Sequence, residues 1–163
     1  MNRTTEGWRG DCIFLITDNS STMDKLMDTP EEHYVLIVDD DPDICEALGD
    51  LLEGQGYRTQ RTGTGFASLA LLKERRFAAV ILNVGLPDID GLSVLRMMRE
   101  QVPGLQVIIL TGSDSNQIRR DSIRLGAFAF LAKPWDRQEL KRTVARAVRL
   151  LHSASSGASE VCR

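Results

Sequence analysis

From residue 34 onward the chain switches repeatedly between two hydrophobic periods. Tyr34-Val35-Leu36-Ile37-Val38 is an unbroken apolar run rich in β-branched side chains, the pattern of a strand covered on both faces. Pro42 follows where the first turn of a helix tolerates it, Asp41 is the expected cap, and Ile44, Leu48, Leu51 and Leu52 recur at helical spacing. Gly54 and Gly56 end that helix. Tyr57 to Arg61 alternates as a short edge strand, and Phe66 to Lys73 is a second helix. Phe77 to Leu82 is a second buried strand, and Leu92, Leu95 and Met98 mark a third helix. Leu105 to Leu110 is again a buried strand, Ser115 to Leu125 a polar helix ending at Gly126, and Ala127 to Ala132 the last strand. Asp136 and Glu139 form a capping box for the final helix, with Trp135 placed to staple onto Leu140 and with Val144, Val148 and Leu151 on its buried face. Strands and helices in strict alternation predict an α/β fold, a doubly wound five-stranded parallel sheet with five helices on its two faces.

The ends of the chain lack such periods. Residues 1–31 are rich in Thr, Asn, Ser and Asp and read as a disordered leader, with Cys12 to Ile16 the one apolar segment that could dock as a strand. Met23 and Met27 lie just ahead of the domain and leave an over-long start open. The expected domain covers 32–152, and 153–163, with its Ser-Ala-Ser-Ser-Gly-Ala-Ser run, reads as a flexible tail.

Composition narrows the function classes. The 163 residues are 42% hydrophobic and 26% charged, and 20 Lys and Arg against 23 Asp and Glu leave a net charge of −3. That balance argues against direct nucleic-acid binding. No apolar stretch is long enough for a membrane span or a signal-peptide core. Cys12, Cys45 and Cys162 are odd in number and scattered, so a disulfide framework or zinc site is not expected. Cys45 falls on the apolar side of the first helix as a buried thiol, and a reducing cytoplasm is the expected compartment. His33 and His152 flank the domain without a ligand partner in range and read as surface residues. The Gly63-x-Gly65-x-x-Ser68 segment lacks the third glycine and the downstream acid of a dinucleotide fingerprint, and reads as a loop.

In a doubly wound sheet the working crevice lies outside the carboxyl ends of the strands. Asp39-Asp40-Asp41 follow the first strand, Asn83 the third, Thr111 closes the fourth and Lys133-Pro134 follow the fifth. Carboxylates, an amide, a hydroxyl and an ammonium therefore converge. Clustered carboxylates ask for a cation, and Mg²⁺ suits a site with one or two of them.

The motifs Val35 to Asp41, Leu86-Pro87-Asp88-Ile89-Asp90-Gly91, Leu110-Thr111-Gly112, Gly126 to Phe130 and Lys133-Pro134 resemble, in order and spacing, the receiver domain of two-component response regulators (the CheY-like superfamily) over residues 33–152. The resemblance implies that Asp39 and Asp40 are the acidic pair that helps hold Mg²⁺, with the Gly85 carbonyl as a further ligand. It implies that Thr111 and Lys133 coordinate a phosphoryl group, that Thr111 and Phe130 form the switch, and that Lys133-Pro134 is cis. The family's phosphoacceptor aspartate lies four residues before the loop proline, and here that position is Asn83. An amide is a poor nucleophile and removes one negative charge, so Mg²⁺ binding is expected to be weak. Asn83 is expected to donate to Asp40 and accept from Lys133.

The resulting expectation is a stand-alone, phosphorylation-independent receiver with no enzymatic activity, working by contact with a protein such as a histidine kinase or an effector. Its contact surface would be the basic face of the fourth and fifth helices, which carries Arg119, Arg120 and Arg124 on the fourth and Arg137, Lys141, Arg142, Arg146 and Arg149 on the fifth, and could also serve a homodimer. Two alternatives stand beside it. One is phosphorylation at another carboxylate, Asp39, Asp40 or Asp88, with Asp40 nearest Asn83. The other is a phosphatase resembling the haloacid dehalogenase superfamily, with Asp39 as nucleophile and Asp41 as acid–base.

Overall fold

The computed structural model describes residues 34–112 and 116–156, with side chains as far as Leu151. The expected leader, Cys12, Cys162, His33 and the His152 side chain lie outside the described residues. The elements are β1 (Tyr34–Val38), α1 (Pro42–Glu53), β2 (Arg58–Thr62), α2 (Gly65–Glu74), β3 (Ala79–Leu82), α3 (Gly91–Gln101), β4 (Val107–Thr111), α4 (Asn116–Arg124), β5 (Ala129–Ala132) and α5 (Arg137–Ser156). All strand pairs are parallel and the sheet order is β2-β1-β3-β4-β5. The doubly wound parallel sheet expected from the alternation is therefore the observed fold.

Period-two side-chain alternation splits each central strand between two cores. Val35, Ile37, Ala79, Ile81, Ile108 and Leu110 pack under α1 and α5, against Leu48, Leu52, Leu140 and Val144. Leu36, Val38, Val80, Leu82, Val107 and Ile109 point the other way, against Leu69, Leu72, Val94, Leu95 and Met98 of α2 and α3. Both faces are thus covered, which explains why the central strands read as unbroken apolar runs.

Local chemistry sets the helix starts. The Asp41 side chain accepts from the backbone of Asp43 and Ile44, Asp90 caps α3 by accepting from Ser93, and Asp136 accepts from the Glu139 backbone. Trp135 and Leu140 share one core, as the staple requires.

The boundaries of four elements differ most clearly from expectation. β3 and β5 begin two residues after their apolar runs, at Ala79 and Ala129. Phe77 and Ala78 are buried all the same, because apolarity reports burial and not ladder bonding. β4 is displaced to Val107–Thr111. α5 runs on to Ser156, through residues expected in the tail. Extending a formed helix adds one bond per residue fixed, and no helix breaker occurs before Gly157.

Candidate functional site

Parallel pairing brings the carboxyl ends of β1, β3, β4 and β5 to one edge. The register sets Val38 beside Leu82 and Thr111 beside Ala132, so Asp39, Asn83, Thr111 and Lys133 emerge side by side. Gly91 lets α3 start directly behind Asn83: a Cβ there would stand 2.5 Å from the Asn83 carbonyl oxygen and from Val84 Cα. On the other side Gly63 carries the β2–α2 loop past the backbone of Asp39 and Asp40.

The residues that meet are deeply set. Asp39 is 4%, Asn83 7% and Thr111 2% exposed, whereas Asp40 is open to solvent. Lys133 Nζ lies 2.5 Å from Asp39 Oδ2, while Asp39 Oδ1 accepts from the Asp41 backbone at 3.1 Å. Asn83 turns its amide nitrogen into the acids. Nδ2 donates to Asp40 Oδ1 at 3.1 Å, to the Gly85 carbonyl at 3.3 Å and to Asp39 Oδ1 at 3.4 Å. The Asn83 carbonyl oxygen accepts from the Gly85 backbone. One expectation fails here: Lys133 pairs with Asp39 and not with Asn83. An ammonium is held more strongly by a buried carboxylate than by a neutral amide oxygen. Two carboxylates and one ammonium leave the cluster with a net single negative charge.

An open cleft of about 380 Å³ leads to Asp39 and Asp40, bordered by Cys45, Glu46, Arg61 and Gly63. Cys45 is buried and its thiol donates to the Asp39 carbonyl at 3.3 Å. Burial, reinforced by the Asp39 charge, pushes that thiol pKa up. Phe130 is buried on the opposite face of β5, with the Arg119 guanidinium 4.5 Å from its ring centre. The Lys133-Pro134 peptide is cis.

Two features had no local signal in the sequence. Asp88 reaches across to α2 and accepts from the Gly65 and Phe66 backbone at 2.9 Å each. Those bonds at a helix start hold its carboxyl below the usual aspartate range. Arg61 lays its guanidinium over Gly49 in α1 and reaches Glu53 at 3.5 Å. Both contacts join residues far apart in the chain. Asp41, the acid–base residue of the dehalogenase-like reading, caps α1 through its Oδ1.

The donor set fits a hard cation in its chemistry, since Asp39, Asp40 and the Gly85 carbonyl supply oxygens only. The Asn83 N–H groups are aimed at those same three oxygens, so cation binding requires the amide to turn away.

A five-stranded sheet in this order, with acids, a hydroxyl and a lysine at its carboxyl edge, defines a receiver. The response regulator receiver domain family matches residues 35–145, and the chain belongs to that family. It is 32% identical over 124 residues to the transcriptional regulatory protein ZraR of Salmonella typhimurium, covering 76% of this chain and 28% of that protein. It is 34% identical over 106 residues to the probable transcriptional regulatory protein TcrX of Mycobacterium tuberculosis, covering 65% and 45%. The chain thus spans less than half the length of these relatives. The signal receiver domain of an HD domain-containing protein from Pseudomonas fluorescens superposes with a TM-score of 0.73 at 30% identity, over 78% of this chain and 94% of that one. The receiver domain of sensor histidine kinase PA1611 from Pseudomonas aeruginosa, solved with magnesium coordinated in its active-site cleft, gives 0.67 at 28% identity, over 72% and 98%. Among the described residues no helix is long and apolar enough to cross a membrane.

Proposed function

We propose that this chain is a two-component receiver that signals without phosphorylation at the usual position, acting by protein contact. The observation that carries this reading is the Asn83 amide, which occupies the acceptor position and donates to Asp39, Asp40 and the Gly85 carbonyl. A carboxylate there would be a nucleophile and a metal ligand; the amide is a poor nucleophile and a donor toward the ligand oxygens.

In this reading Asp39, Asp40 and the Gly85 carbonyl are the cation ligands, and Mg²⁺ binds weakly. When bound, the ion would neutralise the acids and the oxygens of a phosphoryl group. Lys133 already neutralises Asp39, and the Asn83 amide donates to one oxygen of each acid. Thr111 and Phe130 are the switch pair, with Phe130 held inward under Arg119. A switch responds only to a ligand that distinguishes its two states. Without an acyl phosphate at residue 83 that discrimination is lost, and the domain keeps one surface for a histidine kinase or an effector protein.

The domain runs from about residue 32 to the end of α5 and works in the cytoplasm. The contact surface is the α4–α5 face, where Arg119, Arg120, Arg124, Arg142 and Arg146 favour an acidic partner.

The test is incubation with a small phosphodonor and Mg²⁺, read by intact mass. The wild type should gain no phosphate, and Asn83→Asp should gain a hydroxylamine-labile one. The second reading, acceptance at Asp40, is favoured by the exposure of that carboxylate beside Asn83. A wild-type acyl phosphate mapped to Asp40 would overturn the first reading in its favour.

A further inference from the structure

The helices α1 and α5 lie side by side on one face of the sheet, sharing a core through Leu48, Leu52, Val144 and Val148. Both return against the direction of a parallel sheet, so they run in the same direction. Beyond the first turn of α5, where exposed Glu139 stands, their outward surfaces carry opposite charge. On α1, Asp43, Glu46 and Asp50 stand at i, i+3 and i+7, all exposed, and the helix contains no Lys or Arg. On α5, Arg142, Arg146 and Arg149 stand at i, i+4 and i+7, also all exposed. The fourth acid of α1, Glu53, is already paired with Arg61. Among the described residues no ion pair engages Asp43, Glu46, Asp50 or the three arginines. Arg146 makes a loose contact, 5.7 Å from the Phe128 ring centre, and Arg149 lies near enough to Tyr57 to act on its hydroxyl electrostatically.

We infer that this face is self-complementary and that its occupant is a second copy of this chain, paired so that each acidic α1 stripe meets the partner's arginine stripe. A two-fold axis lying in the interface parallel to the helices produces this arrangement. Such an axis exchanges left and right and keeps helix direction, so α1 faces the partner's α5 and α5 faces the partner's α1. Both stripes are satisfied at once, and Leu150, half exposed at the edge of the basic stripe, enters the contact.

A polyanion is the poorer occupant. Neighbouring helices sit ~8–10 Å apart, about one Debye length at physiological salt. A nucleic acid laid on α5 would therefore feel the α1 carboxylates as well. An acidic protein laid across both α1 and α5 meets the same repulsion, unlike one on the α4–α5 face, whereas a second copy brings its own cations to the carboxylates. Two helices of this size present roughly 500 Å² per copy, near the lower limit for a specific interface. The expected dimer is weak, fast-exchanging and salt-sensitive. This pairing does not depend on whether Asn83 accepts phosphate.

The test is sedimentation of the full chain at concentrations up to about 1 mM, in low and high salt. Wild type should dimerise, about tenfold more weakly at high salt. Arg142→Glu/Arg149→Glu should be monomeric, because acid then faces acid. Glu46→Lys/Asp50→Lys should be monomeric for the mirror-image reason. An equimolar mixture of the two should form a heterodimer, and all four changes in one chain should restore the homodimer. A wild type that stays monomeric throughout overturns the inference. So does a single-stripe variant that still dimerises, or well-folded single-stripe variants whose mixture stays monomeric. If a reversal variant fails to fold, Arg142→Gln/Arg149→Gln and Glu46→Gln/Asp50→Gln replace the pair, and each must weaken the dimer. Binding of a DNA duplex by a chain that shows no self-association counts as the overturning result.

Discussion

Replacing Asn83 by Asp changes one atom type and reverses the sign of three contacts. In the wild type, Nδ2 donates to Asp40 Oδ1 at 3.1 Å and to Asp39 Oδ1 at 3.4 Å. A carboxylate oxygen in that place meets two like charges. At an effective dielectric near 20, each such pair costs about 5 kcal/mol before any relaxation. Rotation of the new side chain and the solvent at Asp40 remove most of this, leaving an apo variant less stable by ~1–3 kcal/mol. The same charge helps a dication. One extra unit of negative charge ~4 Å from Mg²⁺ is worth about 2 kcal/mol even in water, or roughly thirtyfold in the dissociation constant. Asn83→Asp should therefore melt below wild type in EDTA and be raised strongly by Mg²⁺, whereas wild type moves little. Titration by Trp135 fluorescence, in a Trp8→Phe background, measures the affinities directly. Equal Mg²⁺ affinities for the two proteins would refute the electrostatic reasoning, whatever the phosphodonor experiment gives.

Lys133→Ala should cost ~3 kcal/mol in urea unfolding, since it leaves the buried Asp39 carboxylate without its cation; adding Asp39→Asn should recover part of that loss. The two crowded glycines should behave oppositely. Gly91→Ala drives a Cβ into the Asn83 and Val84 backbone and should destabilise by ~1–3 kcal/mol. Gly49→Ala meets only the end of the flexible Arg61 side chain, and the gain of up to ~1 kcal/mol in helix propensity should leave it neutral or more stable by thermal melting. Asp88 has a lowered pKa, so the stability it adds is complete above the usual aspartate range and is lost as pH falls below it. The melting-temperature gap between wild type and Asp88→Asn should accordingly be constant near neutrality and close under strongly acidic conditions; a gap that widens with acid would contradict this.

Much of the site was legible because receiver chemistry is placed by strand ends. Apolar runs locate the strands, and whatever polar residue follows each run must emerge at the carboxyl edge. Asp39, Asn83, Thr111 and Lys133 were found this way, and the structure brings them together. The partner of Lys133 was not legible. Asp39 and Asn83 are both within its expected reach, and only the packed geometry decides between a buried carboxylate and an amide. Asp88 illustrates the same limit. Its position in the loop suggested a carboxylate available for chemistry, but it is engaged by a helix start 23 residues earlier in the chain.

By itself, then, the sequence determined what depends on local period and spacing. It set the alternation of strand and helix, the two faces of each strand, the helix caps at Asp41 and Asp136, and the amide at the acceptor position. Tertiary structure alone decided which side chains pair across the edge and why Gly91 must be small. It also decided that the acidic stripe of α1 lies beside the arginine stripe of α5. The physical reason is one of range. Period and capping are properties of residues within about one or two turns of each other, whereas ion pairing, close approach and surface charge depend on distances that exist only after the sheet has closed.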